Sequence, residues 1–189
     1  MRIIRYFLEY IAIIILFSIF KLLGYKIASE LGYLLGKTFG PLFRSKKIIT
    51  NNLNKFDSSL TSEKIKKISQ EMWGNYGRIL SEYPYISNFR KGDLDKYIKI
   101  ENIEILEEIK KGPPVIFVSA HFSNFELMAM AIEKAGINLS AIYRPLNNKL
   151  VNSIMEPIRK KYICKNQIKK GINGVRESLK FFKQGTSVA

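Results

Sequence analysis

The first hydrophobic feature of the chain is an almost unbroken apolar run from Tyr6 to Leu23, interrupted only by Glu9 and Lys21. It approaches the roughly 20 residues a helix needs to cross a bilayer, and its two charges lie near the ends, where they can reach the interface. Lys21-Leu22-Leu23 follows in place of a small-residue cleavage site. The run therefore reads as an uncleaved anchor helix and not a removed signal peptide, with an in-plane interfacial helix as the alternative. Ile27 to Phe43 is again apolar and rich in glycine, with Glu30 and Lys37 spaced through it, and reads as a second helix lying along the membrane surface. Residues 45–60 are polar and read as a loop, or as a helix beginning near Asn51. From Ser62, with Thr61 or Ser62 as the cap, Ile65, Ile68, Met72, Trp73, Tyr76 and Ile79 recur at helical spacing as far as Tyr83-Pro84. On that stripe Trp73 and Tyr76 read as core residues and not as ligand contacts.

Beyond residue 97 the pattern changes. Tyr97 to Glu101 is a candidate strand and Glu101 to Lys111 a short charged helix. Gly112-Pro113-Pro114 is a breaker, and Val115 to Val118 is a β-branched and aromatic run of buried-strand length. Helical spacing then begins at Ser123, through Phe125, Leu127, Met128, Ala131 and Ile132 to about Ala135, and Gly136 stops it. Leu139 to Tyr143 predicts a second buried strand, and Lys149 to Lys161 and Asn173 to Lys183 predict helices. Thr186 to Ala189 opens one more strand. Alternating strands and helices predict an α/β fold, a mixed sheet flanked by helices behind an N-terminal membrane helix. The expected division is an anchor over residues 1–24 and a single domain over 25–189. A strand opening at the last residues leaves an uncovered sheet edge, so that domain is expected to be incomplete at its C-terminus.

Composition narrows the chemistry. One cysteine, Cys164, excludes an intramolecular disulfide, and one histidine beside it argues against a zinc site. Cys164 reads as a small buried or half-buried thiol. The formal charge of +15 favours anionic partners: nucleic acid, anionic lipid or an acidic protein. Arg2 and Arg5 precede the apolar run, and Lys21, Lys26, Lys37, Arg44, Lys46 and Lys47 follow it, so the positive-inside tendency places the body of the protein in the cytoplasm. Between Arg144 and Lys183 eleven lysines and arginines face only Glu156 and Glu177. Most of these read as a solvated helix face.

The only histidine, His121, falls in the turn between the Val115–Val118 strand and the helix after it. An imidazole there is presented to a pocket by a fixed scaffold, and suits acid–base work near neutral pH. Glu126 lies five residues on and can hold the ring if the turn folds back. Both residues also have structural readings: a polar residue at a strand end, and an S-x-x-E capping box over Ser123-Asn124-Phe125-Glu126. Arg144 follows the second strand, at the same end of the expected sheet as His121, where ligands of open α/β sheets bind. A guanidinium there suits a phosphate or a developing oxyanion. No enzyme nucleophile is apparent. Ser119 and Ser123 lack the G-x-S-x-G elbow, and Cys164 has no second histidine to activate it.

His121-Phe122-Ser123-Asn124-Phe125-Glu126 resembles the H-x4-E motif of the late lipid A acyltransferases, the lauroyl/myristoyl acyltransferase family. The related glycerophosphate acyltransferases usually carry Asp at the second position. Tyr143-Arg144-Pro145-Leu146-Asn147-Asn148 is similar to that family's Y-R-P block, and Arg159 falls where it has a further functional arginine. Trp73 to Arg78 and Glu82-Tyr83-Pro84 resemble its upstream helix, and Ile100-Glu101-Asn102 the segment before its catalytic strand. The resemblance covers essentially the whole chain, about the first two thirds of a usual member. Members continue the strand begun at Val188 into a motif with a functional Asp.

The resemblance implies a glycerophosphate-acyltransferase-like fold and acyl transfer from acyl carrier protein to a hydroxyl of a lipid A precursor. It implies His121 as general base, Glu126 as the group that orients the imidazole, and Arg144 and Arg159 as substrate-binding residues. The acceptor oxygen attacks the thioester directly, and neither a metal nor another cofactor is needed. The implied setting is the inner membrane, with a single N-terminal anchor, the catalytic domain on the cytoplasmic face and no nucleic-acid partner. Two alternatives stay open: an acyltransferase for another lipid acceptor, such as glycerophosphate or a glycolipid, or a non-catalytic basic protein that binds membrane surfaces or nucleic acid. Glu126 in place of Asp weighs against glycerophosphate.

Overall fold

The structure, a computed structural model, describes residues 2–43 and 45–189, so Arg44, one of the basic residues after the apolar run, lies outside the described residues. The chain forms two compact units: Ile15–Pro84, and Met1–Ile14 together with Tyr85–Ala189. In chain order the helices are α1 (Arg2–Leu23), α2 (Tyr25–Phe39), α3 (Lys46–Phe56), α4 (Ser62–Glu82), α5 (Ile86–Lys91), α6 (Ile103–Lys111), α7 (Glu126–Lys134), α8 (Lys149–Ile158) and α9 (Ile172–Lys183). The strands are β1 (Leu139–Tyr143), β2 (Asn166–Lys169) and β3 (Ser187–Val188). α1 is long and apolar enough to cross a membrane, and Phe20 is its one buried residue.

The Ile15–Pro84 unit is helical and is built on the packing of α2 against α4. Gly32, Gly36 and Gly40 recur every fourth residue and so share one face of α2 and its 3-10 extension, Gly40–Leu42. A Cβ on Gly77 of α4 would overlap the Gly32 carbonyl, and one on Gly36 would overlap the Trp73 carbonyl. Only hydrogen at these positions lets the two backbones touch. Polar bonds flank the contact. The Ser29 hydroxyl donates to Glu82 Oε1 at 2.7 Å, and the Arg78 guanidinium forks onto both Glu30 oxygens at 2.9 and 3.0 Å. Lys37 Nζ donates to Glu71 at 2.7 Å, and the Tyr33 hydroxyl to the other Glu71 oxygen at 2.6 Å. The expected cap at the start of α4 is present, Thr61 Oγ1 accepting from the Lys64 amide at 3.3 Å. The polar stretch 45–60 forms a helix from Lys46 and not from Asn51, while Tyr76 is left about half exposed beside Trp73.

The second unit places α7 and α9 against a parallel sheet of order β2-β1-β3, with α5 packed on α7. Ser140 to Tyr143 pair with Asn166 to Lys169, and Leu139 and Ser140 with Ser187 and Val188. All described strand pairs are parallel, so the expectation of a mixed sheet is corrected. Each connection through α8 or α9 is a crossover, which returns the chain in the same direction. Ile86, Phe89, Met130, Leu139 and Ile168 are fully buried at its core.

Three further expectations change. Val115–Val118 forms no full strand: it meets β3 at a single bridge, Ile116 with Val188, through the Phe117 amide to the Val188 carbonyl at 2.8 Å. β3 is only two residues long, so it offers few ladder bonds, and Val118 is 91% exposed. Tyr97–Glu101 is not a strand either. A 3-10 turn covers Asp95–Tyr97, and Ile98 and Ile100 then line a cleft with α6 and α7 instead of pairing with a sheet. The helix expected over Lys149–Lys161 ends at Ile158 because Pro157 lacks the amide for the bond to the Ser153 carbonyl; the chain widens into a π-turn over Arg159–Ile163.

Two outcomes check this packing. Gly77→Ala should destabilise the protein by about 1–3 kcal/mol, the usual range for overpacking, read as a lowered denaturant midpoint in detergent; an unchanged midpoint contradicts the close approach. Cys164 is fully buried, with Sγ 3.2 Å from the Leu139 carbonyl. Burial, then the charge of Glu133, pushes its thiol up to about 11. At pH 8 only roughly one part in a thousand is then thiolate, the reactive form. Iodoacetamide should leave the folded protein unmodified and label it once denaturant is added.

Candidate active site

His121 stands on the segment that leaves the β3 bridge, and Arg144 directly follows β1. Because the pairings are parallel, both lie at the C-terminal edge of the sheet, the usual ligand edge of such folds. β3 separates their strands, so two inter-strand spacings, roughly 10 Å, lie between the two backbones. Both side chains are exposed. The His121 ring packs edge-on against Phe125, with centroids 4.3 Å apart at 74°, which limits the ring's orientation without occupying its nitrogens.

The turn between them and α7 is tight. The Phe122 amide bonds the Ala120 carbonyl at 2.9 Å, and Phe125 the Ser123 carbonyl at 3.1 Å. Ser123 takes a left-handed φ of 46°, which costs a non-glycine residue about 1–3 kcal/mol. This geometry removes the capping-box reading. α7 begins at Glu126, its N-cap is Phe125, and no side chain caps it.

Glu126 is used elsewhere. Its carboxylate is buried and accepts from Arg159 Nε at 2.8 Å and from Arg159 Nη2, forming an ion pair whose side chains are only 9% and 13% exposed. The His121 ring contact is with Phe125, and no hydrogen bond between His121 and Glu126 occurs among the described residues. The structure therefore joins Glu126 to Arg159, and leaves Arg144 at the open edge. The π-turn directs Arg159 inward, and the Tyr143 ring lies 5.7 Å from its guanidinium carbon. Burial, followed by the charge of Glu156, raises the Tyr143 hydroxyl above its ordinary range, so it stays protonated. Lys160, at 2.9 Å, holds the Glu156 carboxyl below its ordinary range.

Sequence reading missed Asn148. Its Oδ1 caps α8, accepting from Leu150 and Val151 at 3.0 and 3.3 Å. Its Nδ2 donates to the Tyr6 carbonyl and to Glu9, both at 2.9 Å. One buried amide thus fastens the N-terminal turns of α1 to the loop that carries Arg144. The Asn before a helical run signals the cap; nothing local signals the bond to residues some 140 positions away.

Comparison with characterised proteins and with solved structures finds no significant match. The model of the family described as "Bacterial lipid A biosynthesis acyltransferase" matches residues 1–189. The histidine turn, the Y-R-P loop, Arg159 and the α4 segment all fall inside that match, and the chain belongs to the bacterial lipid A biosynthesis acyltransferase family.

Proposed function

We propose that the chain transfers a fatty acyl group from acyl carrier protein to a hydroxyl of a lipid A precursor, with His121 as general base. The observation that carries this reading is the exposed imidazole at the C-terminal edge of a parallel sheet, braced by Phe125 on a turn whose far end is locked by a buried ion pair. His121 takes the proton of the acceptor hydroxyl as that oxygen attacks the thioester carbonyl. The tetrahedral intermediate collapses, the C–S bond breaks, and the imidazolium returns its proton to the leaving thiolate. No acyl-enzyme forms, since Cys164 is buried and protonated. Arg144, exposed at the same edge of the sheet as the base, binds the acceptor's phosphate or the developing oxyanion. Glu126 and Arg159 act on each other and position the turn.

The setting follows from the N-terminus. α1 anchors the protein in the inner membrane, and the excess of basic residues that follow its apolar run over those that precede it keeps the catalytic residues on the cytoplasmic face. The basic α8–α9 region complements an acidic carrier protein and anionic lipid alike.

The test is acyl transfer by the chain in membranes with acyl carrier protein thioester and lipid A precursor. His121→Ala should lower the rate by a factor of about 100 to 10,000, the usual worth of a general base, and leave membrane association intact. Transfer by that variant at the unmodified rate would refute the assignment.

A further inference from the structure

We propose that α1 lies along one leaflet of the bilayer and does not cross it, its outward apolar row sunk among the lipids. This placement does not depend on the acyltransferase reading. α1 is the one helix among the described residues that is long and apolar enough to cross a membrane. A chain that crosses once leaves the residues before the crossing on one face and those after it on the other. Within the unit formed by Met1–Ile14 and Tyr85–Ala189 that separation does not hold. Asn148 Nδ2 donates to the Tyr6 carbonyl and to Glu9 Oε2, both at 2.9 Å. Tyr6 and Glu9 belong to the first turns of α1, while Asn148 comes long after its end. Asn148 is buried and its Oδ1 caps α8, so this is a fixed contact and not a loose surface touch. To span the bilayer and keep these bonds, the chain needs a second crossing between Leu23 and Asn148. α2, at 15 residues, rises only about 22 Å against a hydrocarbon core of about 30 Å. α4 is longer but is charged throughout, with Glu63, Lys66, Glu71, Arg78 and Glu82 along it. The other described elements in that interval are shorter than α2.

The exposure of α1 repeats with the helical period along its length. Tyr6, Tyr10, Ile13, Phe17 and Phe20 recur every third or fourth residue and are half-buried or buried. Within the Ile15–Pro84 unit, the Phe17 ring stacks on Tyr83 with centroids 6.0 Å apart, and Lys21 Nζ donates to the Pro84 carbonyl at 3.2 Å. The opposite row, Ile4, Leu8, Ile11, Ile15 and Leu22, is exposed and holds no charge. It runs for about 27 Å, an apolar surface that water covers poorly. Arg2, Arg5 and Glu9 fall off this row, on the other half of the helix. One apolar face outward with charges turned aside is the form that sinks about 5–10 Å into the boundary between headgroups and acyl chains. Arg2 and Arg5 at one end and Lys21 at the other then meet headgroups, and an anionic leaflet complements them.

The same contact sets the height of the loop after β1. Asn148 follows Arg144 by four residues, so its bonds to Tyr6 and Glu9 keep that loop beside the leaflet in which α1 lies. On the acyltransferase reading, a lipid acceptor then meets Arg144 without leaving the membrane surface.

The experiment uses the full chain in sealed inner-membrane vesicles, right side out and inverted, with a membrane-impermeant maleimide. Cys164 is buried, so the unmodified chain serves as the unlabelled control. Arg2→Cys and Lys26→Cys, on either side of the apolar run, should both be labelled in the same vesicle orientation and both be spared in the other. Labelling of the two from opposite faces overturns the proposal. Depth is read separately, with nitroxide labels on Ile4→Cys, Ile11→Cys and Leu22→Cys and their collisions with oxygen and a water-soluble nickel chelate. All three should lie at one depth, within about 5 Å. A crossing helix puts Ile11 about 10 Å deeper than Ile4, and that gradient overturns the proposal, as does free collision with the chelate at all three positions. Neither readout needs acyl transfer, so failure of the acyltransferase reading leaves both outcomes intact.

Discussion

Glu126 and Arg159 meet where both side chains are nearly out of water, and the half of the protein that carries the histidine is organised around that meeting. Neither charge is stable alone at such a site. Removing one partner of a buried pair typically costs about 3–5 kcal/mol, because the other is left uncompensated. The pair therefore demands that the first turn of α7 and the π-turn after α8 stay together. Pro157 supplies the geometry, since it removes a regular helix bond just ahead of Arg159, which must point inward. Tyr143, the last residue of β1, adds its ring face to the same guanidinium. The residue after Tyr143 is Arg144, and the residue before Glu126 is Phe125, which braces His121. One ion pair thus fixes the backbone origins of both exposed groups.

A second constraint operates within the Ile15–Pro84 unit. Gly32, Gly36 and Gly77 allow α2 and α4 to touch backbone to backbone, and the Ser29, Arg78 and Lys37 bonds fix their register. These are the residues that read from sequence only as an apolar, glycine-rich stretch followed by an amphipathic helix. Glycine spacing declares that a face is small; it does not declare which helix covers it. The apolar α1 keeps almost all its side chains outside the packed core, as a segment suited to lipid does.

Much of the site was legible because its elements carry strong local signals. β1 is an apolar run broken only by Ser140 and matches its expected bounds, and α7 and α9 follow helical spacing to within three residues. β2 was not legible: Asn166, Gln167 and Lys169 are polar, only Ile168 is buried, and the strand exists because β1 offers it a ladder. Val115–Val118 failed in the opposite sense, being strand-like in composition but paired at one bridge with a two-residue partner. Arg159 was found by resemblance, as a residue for substrate. In the structure it bonds Glu126, 33 positions away, from a π-turn that no periodicity announces. Likewise, the S-x-x-E pattern at Glu126 met a left-handed Ser123, which starts the helix too late for the serine to cap it.

The central claim is that Arg159 serves the site through Glu126 and not through substrate. A double-mutant cycle on the acyl-transfer rate, with Glu126→Gln, Arg159→Leu and the combination, tests it most directly. The account predicts that each single change leaves one buried charge alone and costs more activity than the pair of changes together, a coupling of about 2 kcal/mol or more. Additive losses, or an Arg159→Leu effect that raises only the KM for the lipid acceptor and ignores Glu126, would contradict it.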